Sequence, residues 1–326
     1  MSEVKMPIDV VISWVDGEDP VHKAKRRSFS KAGELKKDDV AGAARYRSTG
    51  EIFYCIASIL RFAPWVNKIF IVTDNQNPHV EEFLQRNFPD NRIPIEIVDH
   101  KVIFQGYEQY LPTFNSLAIC TMLWRIPGLS DCFLYFNDDV FLTAPATGET
   151  WFEGEDTIIY ADRFPARWAQ FLRWCKHLGR KHKKFGHKDP MLNSAGILKS
   201  GHFYLFPHAP VPMRRDWYEK FYAEHPDILD HNIRHRFRDP SQYSAPTLFY
   251  VSAHRSGNLL VRSPKNTTLF LKPSVDKAGG YMARKLAEAD SNKEMIFGCV
   301  NSLGETTIEE QQMFHQWISK LLDIEI

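Results

Sequence analysis

Over the first half of the chain, apolar residues fall into short continuous runs separated by polar turns. Val10 to Trp14 is an apolar run of strand length that breaks at Val15, Asp16 and Gly17, so it reads as strand and then turn. Ser48, Thr49, Gly50 and Glu51 have the form of a capping box, and Ile52, Ile56, Ile59 and Ala63 follow at helical spacing up to Pro64. That pattern predicts a helix from about 50 to 62. Lys68 to Thr73 reads as a second buried strand, followed by the turn formers TDNQNP and a helix over about 78 to 87. Ile93 to Val98 reads as a third strand, residues 115 to 124 are apolar nearly all round, as in a buried helix, and Phe133 to Phe136 form a short strand that runs into Asn137, Asp138 and Asp139. Alternation of strand and helix predicts an α/β fold: a mostly parallel sheet with helices on both faces.

Beyond residue 150 the pattern is irregular and reads as an α+β part. Residues 163 to 188 are crowded with Arg, Lys, His and Trp, and residues 199 to 270 mix short strands with Pro and aromatics. At the end, Thr306 or Thr307 caps a helix with Phe314, Trp317, Ile318, Leu321 and Leu322 on one face. Residues 21 to 42 are charged and need not be ordered. There is no internal repeat, so a soft boundary falls near 150.

Composition narrows the partners. Lysine and arginine total 41 against 40 acidic residues, which leaves no global field for nucleic acid. Five cysteines, an odd number without a CxxC pair, point to free thiols in a reducing compartment. The N-terminus lacks a signal-peptide core, and no window approaches the roughly 18 apolar residues of a membrane span. A cytoplasmic protein is the simplest reading.

Three strands end in polar clusters, WVDGED, TDNQNP and FNDD, and in parallel sheets ligands bind at the carboxyl ends of strands. Asp138 and Asp139 are neighbouring carboxylates just past an apolar strand, where a cation or strong donors must offset their repulsion. Hard oxygen ligands suit Mg²⁺ or Mn²⁺ together with phosphate oxygens. Taken alone, the pair fits equally well a turn whose Asp residues cap local amides.

Longer strings resolve that choice. IDVVISWVDGEDP (8 to 20), RYRSTGEIFYCIASILRFAPWVNKIFIVTDNQNP (45 to 78), VDHKVIF (98 to 104), LPTFNS (111 to 116) and IPGLSDCFLYFNDDVFL (126 to 142) resemble, in order and spacing, the first two signatures of the Stealth family. These are bacterial capsule and cell-surface polysaccharide phosphotransferases related to the animal GlcNAc-1-phosphotransferase. FPHAPVPMRRDWYEKF with RHRFRDP (206 to 221 and 234 to 240) resembles a third signature, and IFGCVN (296 to 301) a reduced fourth. Gln242 stands where the family often has an acid, and Asn301, Ser302 where it has Asn-Asp.

The resemblance implies a GT-A-like fold and transfer of a sugar 1-phosphate from a UDP-sugar to a hydroxyl of a glycan or lipid-linked glycan acceptor, with release of UMP. Residues 1–150 would form the nucleotide-sugar-binding half and 151–326 the acceptor and catalytic half, packed together as one catalytic domain. Asp138 and Asp139 would serve metal and donor, with Asn137 orienting them. Asp16 and Gly17 would hold the nucleotide, Asp74 and Gln76 would line the same cleft, and Asn115 would donate to phosphate or sugar at a helix N-terminus. His208 is the candidate base, and Arg236 and Arg238 the candidate phosphate clamps; Arg45 and Arg47 weigh less.

Two rivals share these residues: a conventional GT-A glycosyltransferase that releases UDP, and a silent sugar-nucleotide-binding subunit. The basic, Trp-bearing stretch 163–188 reads either as a peripheral contact at the inner face of a membrane, or with an anionic acceptor, or as a solvated helix with its Trp and Phe turned to the core.

Overall fold

The computed structural model describes residues 6–30, 50–177, 186, 188–274, 277 and 279–325. The first half runs β1 (Ile8–Ser13), α1 (Pro20–Phe29), α2 (Glu51–Phe62), β2 (Ile69–Thr73), α3 (Val80–Asn87), β3 (Ile95–Asp99), α4 (His100–Ile103), α5 (Ser116–Met122), β4 (Cys132–Asn137) and β5 (Val140–Leu142). The second half adds β6 (Phe152–Glu153), β7 (Asp156–Tyr160), β8 (Asp162–Pro165), α6 (Ala166–His177), α7 (Asp189–Ile197), β9 (His202–Leu205), β10 (Val211–Arg214), α8 (Arg215–Glu224), α9 (Pro226–Ile233) and α10 (Ala245–Ser256). It closes with β11 (Leu259–Arg262), β12 (Thr268–Leu271), α11 (Tyr281–Ser291), β13 (Phe297–Val300) and α12 (Ile308–Leu322).

Five strands form the central sheet in the order β10-β4-β1-β2-β3. Strands β1 to β4 are parallel, and β10 pairs antiparallel with β4. Strand order reverses between β1 and β4, and in open α/β sheets such a switch point opens a crevice beyond the carboxyl ends of the strands. Ser13 is in register with both Asn137 and Val72, so the loops after β1, β2 and β4 leave the sheet side by side. This mostly parallel α/β arrangement, with helices on both faces, is the one the strand and helix pattern predicts.

Side chains alternate along each strand, and both faces of β1, β2 and β4 are buried. Val11, Phe70, Val72, Phe133 and Tyr135 enter a core with residues of α5, α8, α9 and α10. Val10, Ile12, Ile69, Ile71, Leu134 and Phe136 pack on the other side against α2, Trp151 and Phe297. The far side of α2 meets α12 through Tyr54, Phe314 and Ile318. Thr307 caps α12, its hydroxyl accepting from the Glu310 amide at 3.3 Å.

Several expectations change. Of residues 21 to 42, read as charged and not needing order, 21 to 29 are helical: Asp19 accepts from the His22 amide at 2.7 Å and Pro20 sits at the first helical position, while 31 to 42 lie outside the described residues. The capping box expected at the start of α2 draws on Ser48, which lies outside the described residues. Gly50 is the N-cap of this helix at φ 88°, a conformation that favours glycine, and it makes no side-chain cap bond; Thr49, Arg45 and Arg47 also lie outside the described residues. The third strand begins at Ile95 rather than Ile93 and is a sheet edge with partly exposed side chains. Beyond 150 the chain is more regular than its composition suggests, with β7, β9 and β13 in three small sheets and β10 completing the central one.

Candidate active site at the carboxyl ends of the central strands

Asp138 and Asp139 occupy the two-residue turn between β4 and β5, both half-buried. Burial, then the charges of Asp139 and Glu51, raise the Asp138 carboxyl well above the usual carboxylate range. Burial raises Asp139 to about 6, against the Cys299 thiol, whose Sγ donates to Oδ2 at 3.5 Å. The second oxygen of Asp139 is buried with no hydrogen-bond partner. Among the described residues no three His, Cys, Asp or Glu side chains converge as a ready-made cation cage. A crowded carboxylate pair with an orphaned oxygen is the donor set that a hard divalent cation accepts when phosphate and water complete its shell.

Glu51, read from the sequence only as part of a helix start, also belongs to this site. It opens α2, is 7% exposed, and its charge acts on both Asp138 and Asp139. Its signal was its position at the head of a helix that points into the same crevice. The cysteines also do more than fill space: Cys55 donates to the Asn137 carbonyl at 3.9 Å, and Cys299 reaches Asp139. Asn137 is fixed from its own strand, because the Tyr135 hydroxyl donates to its Oδ1 at 2.7 Å and lies 2.9 Å from the Ser13 hydroxyl.

β10 brings in the histidine. Its antiparallel register sets Val211 opposite Tyr135. His208 lies in the bend that leads into this strand. The half-buried His208 ring lies flat on Phe270, with centroids 5.1 Å apart.

The two arginines separate. Arg238 donates to the Ser116 hydroxyl at 2.6 Å, and its charge is felt at Tyr135 in the crevice. Arg236 is held away: Nη2 donates to the carbonyls of Gln109 and Leu111 at 2.8 and 3.2 Å, and its guanidinium lies over the Phe29 ring. Asn115 likewise departs from its expected role as a ligand donor. It is fully buried, it caps α5, and its amide donates to the carbonyls of His235 and Phe237 and to Gln242. It fixes the segment that carries Arg238.

On the β1 and β2 side, Gln76 clasps the backbone of Asp16, accepting from its amide and donating to its carbonyl, both at 2.9 Å. Gln76 therefore shapes the Asp16-Gly17 turn, and Gly17 is buried within it. Asp74 is paired with Lys25 of α1 at 2.8 Å. Beneath them lies His100, both ring nitrogens buried without a partner, and burial lowers its pKa to about 4 against the opposing charges of Asp74 and Asp99. Asp16, Gly17, Asn137, Asp138, Asp139 and Arg238 thus gather around the switch point, with Asp74 beside them and Asn115, Gln76 and Arg236 behind.

Residues 6–34 match the family description "Stealth protein CR1, conserved region 1", and residues 45–159 match "Stealth protein CR2, conserved region 2". The receptor polysaccharide phosphotransferase WefC of Streptococcus oralis is 30% identical over 94% of this chain and 93% of its own. The capsular polysaccharide phosphotransferase fcs1 of Haemophilus influenzae is 29% identical over 98% of this chain and 84% of its own. Among solved structures, the galactosyltransferase LgtC in complex with donor and acceptor sugar analogues is similar at TM-score 0.46 and 10% identity, over 98% of this chain and 96% of that one. With both conserved regions in place around the acidic turn, and identity to WefC sustained over almost the whole of both chains, this chain belongs to the Stealth family.

Proposed function

We propose that this protein transfers a sugar 1-phosphate, hexose or HexNAc, from a UDP-sugar to a hydroxyl of a glycan acceptor in cell-surface polysaccharide synthesis. The acceptor oxygen forms a bond to the β-phosphorus, the bond from that phosphorus to the bridging oxygen breaks, and UMP leaves. The sugar C1–O bond stays intact and the product is a phosphodiester. The observation that carries this reading is the half-buried Asp138-Asp139 pair at the carboxyl end of β4, with one Asp139 oxygen buried and unpartnered.

His208 takes the acceptor proton, and its flat contact with Phe270 fixes the plane of the ring. Arg238 donates to the oxygens on which charge spreads. Asp16 and Gly17, held by Gln76, bind the nucleotide. Mg²⁺ or Mn²⁺ held by Asp138 and Asp139 would supply charge neutralisation on the diphosphate. Glu51 keeps that corner electronegative, so the pair favours a cation over two bare charges.

The test is the identity of the released nucleotide when the protein is incubated with Mg²⁺, a panel of UDP-sugars and a bacterial glycan acceptor. UMP with a sugar phosphate on the acceptor supports the proposal. UDP reassigns the protein to sugar transfer, and donor binding without release in the presence of acceptor reassigns it to a binding subunit.

A further inference from the structure

The helix α6 is inside out. Its inward face is small or polar: Ala166 is buried, Ala169 packs on the minor core of Met191, Leu192, Ala195 and Phe203, and Arg173 donates to Asn193 at 2.9 Å. Its outward face carries Trp168, Phe171, Leu172 and Trp174, which are 60%, 50%, 49% and 59% exposed. The three rings form a row, with Phe171 5.7 Å from Trp168 and 6.1 Å from Trp174. Burial in the protein's own core does not explain this face, and soluble monomers rarely leave such a ridge uncovered. The structure thus rejects the reading in which these aromatics turn to the core.

Charge identifies what covers it. Residues 163 to 188 contain nine Lys and Arg and no Asp or Glu, in a chain that elsewhere is acidic enough to bring the totals to 41 and 40. Trp, Phe and Leu on one exposed face, in a sequence segment whose only charged residues are basic, fit the composition of a helix lying in a lipid headgroup region. Whole aromatic side chains offer about 150–250 Å² each. Four side chains about half exposed therefore present roughly 400 Å², about half of what each partner of a stable dimer buries. The exposed row of Trp168, Phe171, Leu172 and Trp174 is apolar, whereas glycan and other ligand sites combine apolar contacts with converging polar groups.

We propose that α6 is a membrane-docking element that seats Trp168, Phe171, Leu172 and Trp174 in an anionic lipid surface. Hydrogen bonds lead from it toward the crevice: Arg173 holds Asn193, and Asn193 donates to the carbonyls of Pro240 and Gln242, just beyond Arg238. Docking there positions the crevice at a bilayer.

The full chain is mixed with vesicles of phosphatidylcholine, with and without phosphatidylglycerol, and assayed by flotation and by tryptophan quenching with brominated lipid. The expected result is salt-sensitive binding to the anionic vesicles with quenching, weakened about tenfold or more in W168S/F171S/W174S, whose circular dichroism is unchanged. Three results overturn the proposal. One is absence of binding to either vesicle. Another is equal binding by the triple variant, which reduces the contact to charge. The third is a dimer in sedimentation that the triple variant abolishes, with no vesicle binding, which makes the ridge a self-association surface.

Discussion

Asn115 and Gln242 are joined side chain to side chain at the centre of the molecule, Asn115 Nδ2 donating to Gln242 Oε1 at 2.9 Å, both fully buried. Around this contact the LPTFNS and RHRFRD segments lace together: the Phe114 amide donates to the Arg236 carbonyl, and Phe114 stacks on Phe237. Gln242 also donates to Asn232 and accepts from the Asp239 amide. The Asn115 and Gln242 amides thus fix the segment that carries Arg238.

Asn115→Ala removes the donor to three acceptors at once and leaves buried oxygens unpaired. The expected cost is about 2–3 kcal/mol, read from urea unfolding. Because Arg238 loses its anchor, kcat should fall more than KM rises. An unchanged midpoint in urea would show that water replaces the amide and would remove the positioning role.

The acidic turn stores repulsion that a neutral isostere relieves. Asp138→Asn and Asp139→Asn should each abolish turnover while raising the midpoint of thermal unfolding without divalent cation by a few degrees. Added Mg²⁺ should stabilise the unsubstituted protein and not the variants. Variants that melt lower than the parent, or respond equally to Mg²⁺, contradict the assignment.

Much of this was legible in the sequence, for physical reasons. β1, β2 and β4 are buried on both faces, so they appear as continuous apolar runs, and the turns that interrupt them carry the site residues. Asp16, Asp74 and Asn137 could be placed at the carboxyl ends of strands from those runs alone. β10 could not, because Val211–Arg214 is four residues long, contains Pro212 and is an edge strand, so it has neither length nor periodicity to mark it. Glu51 was hidden by a local pattern that matched a capping box. Asn115 and Arg236 look like ligand donors in sequence because their partners are backbone carbonyls and Gln242, which only the tertiary fold brings near. α6 shows the limit of periodicity, which reveals that a helix has an apolar face but not which way the face points.

The two arginines of RHRFRD should respond differently to the same change. Arg238→Lys keeps the charge but loses the planar fork, so kcat should fall about 10- to 100-fold with little change in melting. Arg236→Lys gives up carbonyl contacts at Gln109 and Leu111 and the stack on Phe29, so it should melt lower by a few degrees with kcat largely kept. Steady-state kinetics beside thermal melts decide this, and a reversed pattern would exchange the two roles.

His100 makes stability depend on acidity. Burial, offset by Asp74 and Asp99, lowers its pKa to about 4 from 6.5, so between these values the unfolded chain binds a proton that the folded chain refuses. Stability from this group is complete above pH 6.5 and is lost as pH falls toward 4, about 2 kcal/mol of it by pH 5. His22, also lowered by burial, acts in the same direction. Asp139, raised to about 6, acts oppositely, since its folded form gains a proton first as pH falls. Melts at pH 7.5, 6 and 5 separate the two: Asp139→Asn should steepen the loss of stability on acidification, and His100→Gln should flatten it. If His100→Gln leaves the slope unchanged, the histidine is protonated in the fold and its buried nitrogens have found partners.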